Sequence, residues 1–334
     1  MTSSCMRMNC KPFLLKGVTK DYIWGGRKLC TEFDKELSQR RQAESWECST
    51  HPDGESLVAS GEFTGQTLLQ VLRLHPEFLG KHPLELIGDD TVELPVMIKL
   101  IDARQDLSVQ VHPDDEYAAA YECGQRGKTE MWYVIEAEKD ASLVYGLKEN
   151  MEPEQLKRLV LAGELDNCLQ HVPVKKNDVF FIEAGTIHAI GAGTLIAEVQ
   201  ENSNLTYRLY DYGRGRGLQV DKALQVASTV KSQAPRQPMR KLEYTRGCAR
   251  ELLSRCKYFE TYRMLINTER CRQLCSFAAD EESFRVLLCT SGCGVMQFND
   301  GDSLNYFRGD CIFVPAGCEA IRLHGKAEFL DVRG

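Results

Sequence analysis

Apolar and polar positions alternate along Leu107-Ser108-Val109-Gln110-Val111-His112-Pro113, so an extended strand sends Val109 and Val111 to one face and Gln110 and His112 to the other. The run Lys128-Thr129-Glu130-Met131-Trp132-Tyr133-Val134-Ile135 is rich in aromatic and β-branched residues and predicts a second strand with a carboxylate at its start. Pro95 to Ile101 predicts a buried strand carrying Lys99, whose stem on the plainest reading snorkels to water. Lys11 to Thr31 reads as a strand-forming opening, and Glu44 to Glu62 as two short strands joined around Pro52-Asp53-Gly54.

Helical spacing is confined to a few segments. Leu68, Leu69 and Leu72 predict a helix over Gln66 to Leu74, limited by Pro76. Glu152 to Gly163 is the clearest helix, with Pro153 at its start, Leu156, Leu159 and Val160 on one face, and Gly163 as its stop. A helical turn is expected over Asp114 to Tyr121 and a helix over Val220 to Thr229. Lys231 to Arg240, with Pro235 and Pro238 among polar residues, reads as a linker.

Beyond that linker the chain repeats itself. Asn177-Asp178-Val179-Phe180-Phe181-Ile182-Glu183-Ala184-Gly185-Thr186-Ile187-His188 aligns without gaps to Gly309 through Ala320, so His188 faces Ala320. Phe284 to Leu288 is a weaker echo of Met131 to Ile135, which sets Ser283 opposite Glu130. The repeat predicts a mainly β chain built from two jelly-roll β-sandwich barrels, the second lacking a ligand that the first carries. The first domain is expected over 1–235, with helical insertions at about 64–80 and 150–170, and the second over 236–334.

Composition narrows the function classes. A chain of 334 residues with 43% hydrophobic and 27% charged residues can bury a large core in about two domains. The net charge of −7 argues against a general nucleic-acid or anionic-membrane surface, although a local basic pocket is compatible with it. Met1 to Lys20 has no apolar stretch of signal-peptide length, and nowhere do some eighteen apolar residues run together, which predicts a cytoplasmic, non-membrane protein. Fourteen cysteines without a Cys-x-x-Cys pair are expected to be free, mostly buried thiols with no assigned role.

Two imidazoles, a carboxylate and an amide oxygen suit a borderline divalent metal such as zinc better than an all-oxygen cation. Taken alone, each residue has an ordinary structural reading as a packed, hydrogen-bonded or solvated group. Together with Gly127 to Tyr133, Glu183 to Ala189, Gln200 to Arg214, Trp24-Gly25-Gly26 and Glu44-Ser45-Trp46-Glu47, the whole chain resembles the short bacterial form of type I mannose-6-phosphate isomerase, a zinc enzyme of the cupin superfamily.

That resemblance implies two cupin barrels and one Zn2+ per chain, held by Gln110, His112, Glu130 and His188. It implies a small sugar phosphate as substrate and interconversion of mannose 6-phosphate and fructose 6-phosphate through an enediol. By the same resemblance the family's reactive arginine falls on Arg208 and its Lys-x-Glu lysine on Lys128, while Ser108 and Lys99 match polar residues around substrate. Glu201 is also expected near substrate. The general base stays open among Glu201, His51, Lys128, a water on the metal and a ligand acting twice. Oligomeric state, monomer or homodimer, is not legible.

The family's longer branch differs after Arg208, which weakens transfer of its substrate contacts. Two other function classes stand beside the isomerase. An iron-dependent cupin dioxygenase calls for a three-His, one-Glu set and finds Gln110 where a His belongs. A non-catalytic sugar-phosphate-binding cupin, or a metal-dependent cupin acting on another substrate, shares the motifs.

Overall fold

The computed structural model describes residues 11–36, 41–88, 92–233, 235, 241–271 and 273–334. Continuous apolar runs become central strands. Val96–Ala103 and Thr194–Glu201 are buried at every position, and they pair antiparallel with each other, while Glu130–Ala137 pairs on the far side of Thr194–Glu201. They form the middle of a six-stranded sheet ordered Val179–Ile182, Glu130–Ala137, Thr194–Glu201, Val96–Ala103, Glu44–Cys48, Val18–Lys20.

A five-stranded sheet faces it, ordered Tyr207–Tyr210, Val109–Val111, His188–Ala189, Ser142–Leu147, Leu169–Pro173. The core between the sheets takes Trp132, Ile101, Ile196 and Phe180 from the first and Leu143 from the second, with the neighbouring Leu107 and Ile190. The outer face of the smaller sheet is covered by the helices Pro153–Ala162 and Val220–Val226, whose Leu156, Val160 and Ala223 join Val109, Val111, Val144 and Tyr207. This is why Val109 and Val111 look outward and Gln110 inward. Gly163 ends the first helix in the left-handed region at φ 72°, as its position in the sequence requires.

A second body holds a ten-stranded sheet around Phe329, Leu287, Ile312 and Tyr306. Its thirteen-residue strands Arg285–Gln297 and Ile321–Arg333 pair along most of their length. The mainly β, cupin-type fold expected from the sequence is thus present, but the two bodies are not consecutive stretches of chain. One comprises 18–54 and 96–239, the other 1–17, 55–95 and 240–334. The expected division at residue 235 is corrected accordingly: the strand Phe13–Lys16 pairs with Cys311–Val314 and with Leu57–Val58. The insertion carrying helices Leu68–Leu74 and Lys81–Ile87 packs in the same body.

Other local expectations are also corrected. Glu44–Cys48 and Leu57–Val58 do not pair across Pro52-Asp53-Gly54, because they enter different sheets. A short helix, Lys28–Phe33, follows Gly26. Most of the expected linker over 231–240 lies outside the described residues, as does the first half of the stretch 1–20. The described cysteines are free thiols. Among the described residues no helix is long and apolar enough to cross a membrane.

The internal repeat is real but its register differs from the sequence echo. Ile182 pairs with Glu130, and the equivalent Val314 pairs with Arg285, so Arg285 and not Ser283 stands where Glu130 stands. Asp331 pairs with Leu287 as Glu198 pairs with Trp132, and Arg285 Nε donates to Asp331 Oδ1 at 2.8 Å. The second body therefore carries a built-in guanidinium at the position of the first body's buried carboxylate.

Candidate active site

Three positions brought together by the strands make a buried centre. His112 follows Val109–Val111, Glu130 opens its own strand, and His188 opens His188–Ala189 opposite Gln110. Their ligand atoms lie within 4.8 Å of one another. His188 Nε2 is 3.3 Å from Glu130 Oε1 and His112 Nε2 is 3.6 Å from Oε2.

The geometry favours a metal over a set of satisfied core side chains. His112 Nδ1 donates to the Leu205 carbonyl at 2.9 Å and His188 Nδ1 to that of Thr186 at 2.8 Å. Those bonds fix the tautomer, leaving both Nε2 lone pairs facing the carboxylate. Burial, with the Lys128 charge beside it, holds His112 well below its usual value, and burial holds His188 down to about 4, so both rings are neutral at physiological pH. Glu130 is completely buried, and its Oε1 accepts no hydrogen bond while Lys128 approaches only Oε2; burial together with the Glu198 charge pushes its carboxyl up to about 7. An orphaned carboxylate oxygen in the interior, facing two imidazole lone pairs, calls for a cation. Gln110 completes the set with its amide 3.4 Å from His188 Nε2; exchanging the isosteric ends of the amide turns its oxygen to the centre.

Around this centre runs a layer of ion pairs. Lys128 Nζ sits 2.8 Å from Glu130 Oε2 and 3.8 Å from Glu198 Oε1, and Lys99 Nζ sits 3.2 Å from the same Glu198 oxygen. Trp132 Nε1 donates to the other Glu198 oxygen at 2.9 Å. Burial alone would raise the Glu198 carboxyl, but the two lysines hold it down to about 2. Lys99 also lies 4.9 Å from the centre of the Trp46 ring. The snorkelling expected of Lys99 does not occur.

A pocket opens over these groups, lined by Ser108, Gln110, Lys99, Lys128 and Arg208 of the expected residues. Arg208 is placed by pairing with Gln110, and a bulge after it separates its side chain from that of Tyr210. Glu201 is not brought to the pocket: its Oε1 accepts from the Thr129 backbone at 2.7 Å, and burial with the Asp115 charge pushes its carboxyl up to about 8. His51 is likewise elsewhere, edge-on to Trp46 at 5.9 Å. The pocket adds Glu198, Glu44, Tyr22, Trp24 and Arg216; Trp24 and Glu44 belong to motifs that carry the resemblance, but none of the five was expected in the site. Glu198 was findable: a carboxylate within the otherwise apolar run Leu195–Val199 needs a partner, and the register pairs it with Lys99.

Fold and site together define a cupin whose first barrel is equipped to hold a divalent metal beneath a cationic pocket. The model of the type I phosphomannose isomerase catalytic domain matches residues 13–150. Mannose-6-phosphate isomerase ManA of Bacillus subtilis is 35% identical over 331 residues, covering 96% of this chain and 98% of that protein. Mannose-6-phosphate isomerase of Streptococcus mutans is 37% identical over 227 residues, covering 66% of this chain and 69% of that protein. The crystal structure of the Bacillus subtilis mannose 6-phosphate isomerase superposes with a TM-score of 0.87 at 30% identity, covering 97% of this chain and 100% of that one. A putative mannosephosphate isomerase from Archaeoglobus fulgidus shares the fold at TM-score 0.74 and 19% identity, covering 97% and 98%. The chain belongs to the type I mannose-6-phosphate isomerase family.

Proposed function

We propose that this protein is a zinc-dependent mannose-6-phosphate isomerase acting in the cytoplasm with one ion per chain. The observation that carries the reading is the buried His112–Glu130–His188 cluster, with two imidazole nitrogens and an unpaired Glu130 Oε1 turned to one point, beside a pocket lined by lysine and arginine. Both histidines, Glu130 and Gln110 hold the ion. When bound, zinc supplies Lewis acidity toward the sugar's carbonyl and hydroxyl oxygens.

The chain's own residues supply the rest. Aldose–ketose isomerisation moves a proton between C2 and C1, and negative charge develops on the oxygens between them. The Lys128 ammonium, fixed between Glu130 and Glu198, presents positive charge at that point without reorganising. Of the two carboxylates lining the pocket, Glu198 is committed to two lysines and an indole N–H and is a poor proton acceptor. Glu44 has its Oε2 bound to Trp46 Nε1 at 2.7 Å and keeps Oε1 to take a proton, which makes it the base in this reading.

The test is a coupled assay for fructose 6-phosphate formed from mannose 6-phosphate, before chelation, after it, and with zinc restored. Activity should vanish with the chelator and return with zinc. A folded, zinc-restored sample without activity sinks the isomerase reading, and recovery with iron alone would reassign the metal.

A further inference from the structure

We propose that the phosphate of the substrate is held at the Arg208–Arg216 end of the pocket, with Asp211 as the residue that positions Arg216. This rests on the sugar-phosphate reading above and adds to it where the dianion sits and which side chain outside the resemblance grips it.

The argument is one of charge placement. Four cationic side chains line the pocket: Lys99, Lys128, Arg208 and Arg216. The two lysines are already matched by two buried carboxylates, Glu198 and Glu130, at 2.8 to 3.8 Å. A phosphate placed there would have to displace carboxylates that cannot reach water. At the other end, Arg208 forms no ion pair among the described residues, and its buried Nε has no hydrogen-bond partner. Burial, and after it the nearby Arg216 charge, disfavour the charged form of Arg208. Asp211, buried, is the carboxylate of this corner, and it faces both Arg216 and, at 4.0 Å, Arg214. Positive charge is therefore in excess here and balanced at the lysine end.

Geometry says how Arg216 is used. Its Nε donates to Asp211 Oδ2 at 2.8 Å and its Nη2 to Oδ1, a two-point grip that fixes the plane of the guanidinium and leaves Nη1 unclaimed. Arg208 is held from behind, its backbone N–H donating to Gln219 Oε1 at 3.1 Å. A guanidinium fixed by Asp211, beside a second whose Nε is unclaimed among the described residues, suits a tetrahedral dianion.

The experiment measures how inorganic phosphate raises the melting temperature of the metal-loaded protein, and in parallel the steady-state kinetics with mannose 6-phosphate. Arg216→Gln should raise the phosphate concentration needed for half the stabilisation about 10-fold or more, as loss of a charge-assisted hydrogen bond implies. KM should rise in step while kcat changes by less than about 3-fold. Arg216→Lys, which keeps charge and loses the fork, should fall between, and carries the test if the glutamine variant does not fold. Asp211→Asn separates positioning from charge: removing an anion should by itself tighten phosphate binding, whereas loss of orientation weakens it, and weakening is expected. Lys157→Gln, which removes an exposed cation outside the pocket, should leave the phosphate response unchanged. A wild-type response in the Arg216 variants, or its loss in Lys157→Gln instead, overturns the proposal, and tighter binding in Asp211→Asn removes the positioning role. Absence of isomerase activity with the phosphate response intact would sink the proposed reaction and leave the phosphate corner standing.

Discussion

Replacing Lys99 by methionine keeps the stem that lies over Trp46 and removes only the charge. Lys99 and Glu198 are 4% and 5% exposed at their side chains and 3.2 Å apart, so the change leaves a buried carboxylate without its nearest cation. Removing one partner of such a pair costs about 3–5 kcal/mol. Lys128 at 3.8 Å and the Trp132 N–H remain, which places the expected loss near the lower end, about 3 kcal/mol. For a body of this size that corresponds to a fall in Tm of roughly 6–12 °C, read by near-UV circular dichroism. The acid limb should move as well. A carboxyl held down to about 2 contributes stability above its unfolded value of about 4 and loses it as pH falls toward 2. With Lys99 gone the folded value rises toward the unfolded one, so the variant's deficit in Tm should be full above about pH 4 and shrink as the pH falls toward 2. Lys99→Met combined with Glu198→Gln removes both charges, keeps an acceptor for Trp132, and should recover at least half of the loss. A Tm within about 2 °C of wild type for the single variant, or a double variant no better than the single, would refute the assignment of this pair as a buried electrostatic couple.

Two further outcomes test separate parts of the molecule. Glu201→Gln keeps the acceptor for Thr129 and removes a group that burial forces to stay protonated up to about pH 8. A raised carboxyl contributes stability present below about pH 4 that is lost as pH rises toward 8, so the variant's advantage in Tm should grow across that window and then level off; a flat difference would contradict the burial assigned to this side chain. Arg285→Met strips Asp331 of one of its two guanidinium partners, the other being Arg250 at 2.9 Å. It should destabilise the C-terminal body by about 3 kcal/mol while metal content per chain, measured by atomic emission, is unchanged; loss of metal in this variant would contradict the assignment of the site to the first barrel alone.

The chemistry of the centre was legible along the chain because period-two alternation is local. Once Val109 and Val111 must face an apolar layer, Gln110 faces the other way, whatever the rest of the fold does. The strand identities, the helix ended by Gly163, the repeat and the ligand types follow from such short-range rules and from the resemblance that the motifs carry. What the sequence could not determine were relations between distant segments. Whether Lys99 meets water or Glu198, whether Glu201 faces the pocket or a backbone amide, and whether Ser283 or Arg285 replaces Glu130 are all set by pairing registers. A one-residue shift in register, invisible to composition, sends a side chain to the opposite face of a sheet. The grouping of 1–17 and 55–95 with the C-terminal body has the same origin: Phe13–Lys16 reads as an ordinary strand, and only its pairing with Cys311–Val314, close to three hundred residues away, decides which core it joins.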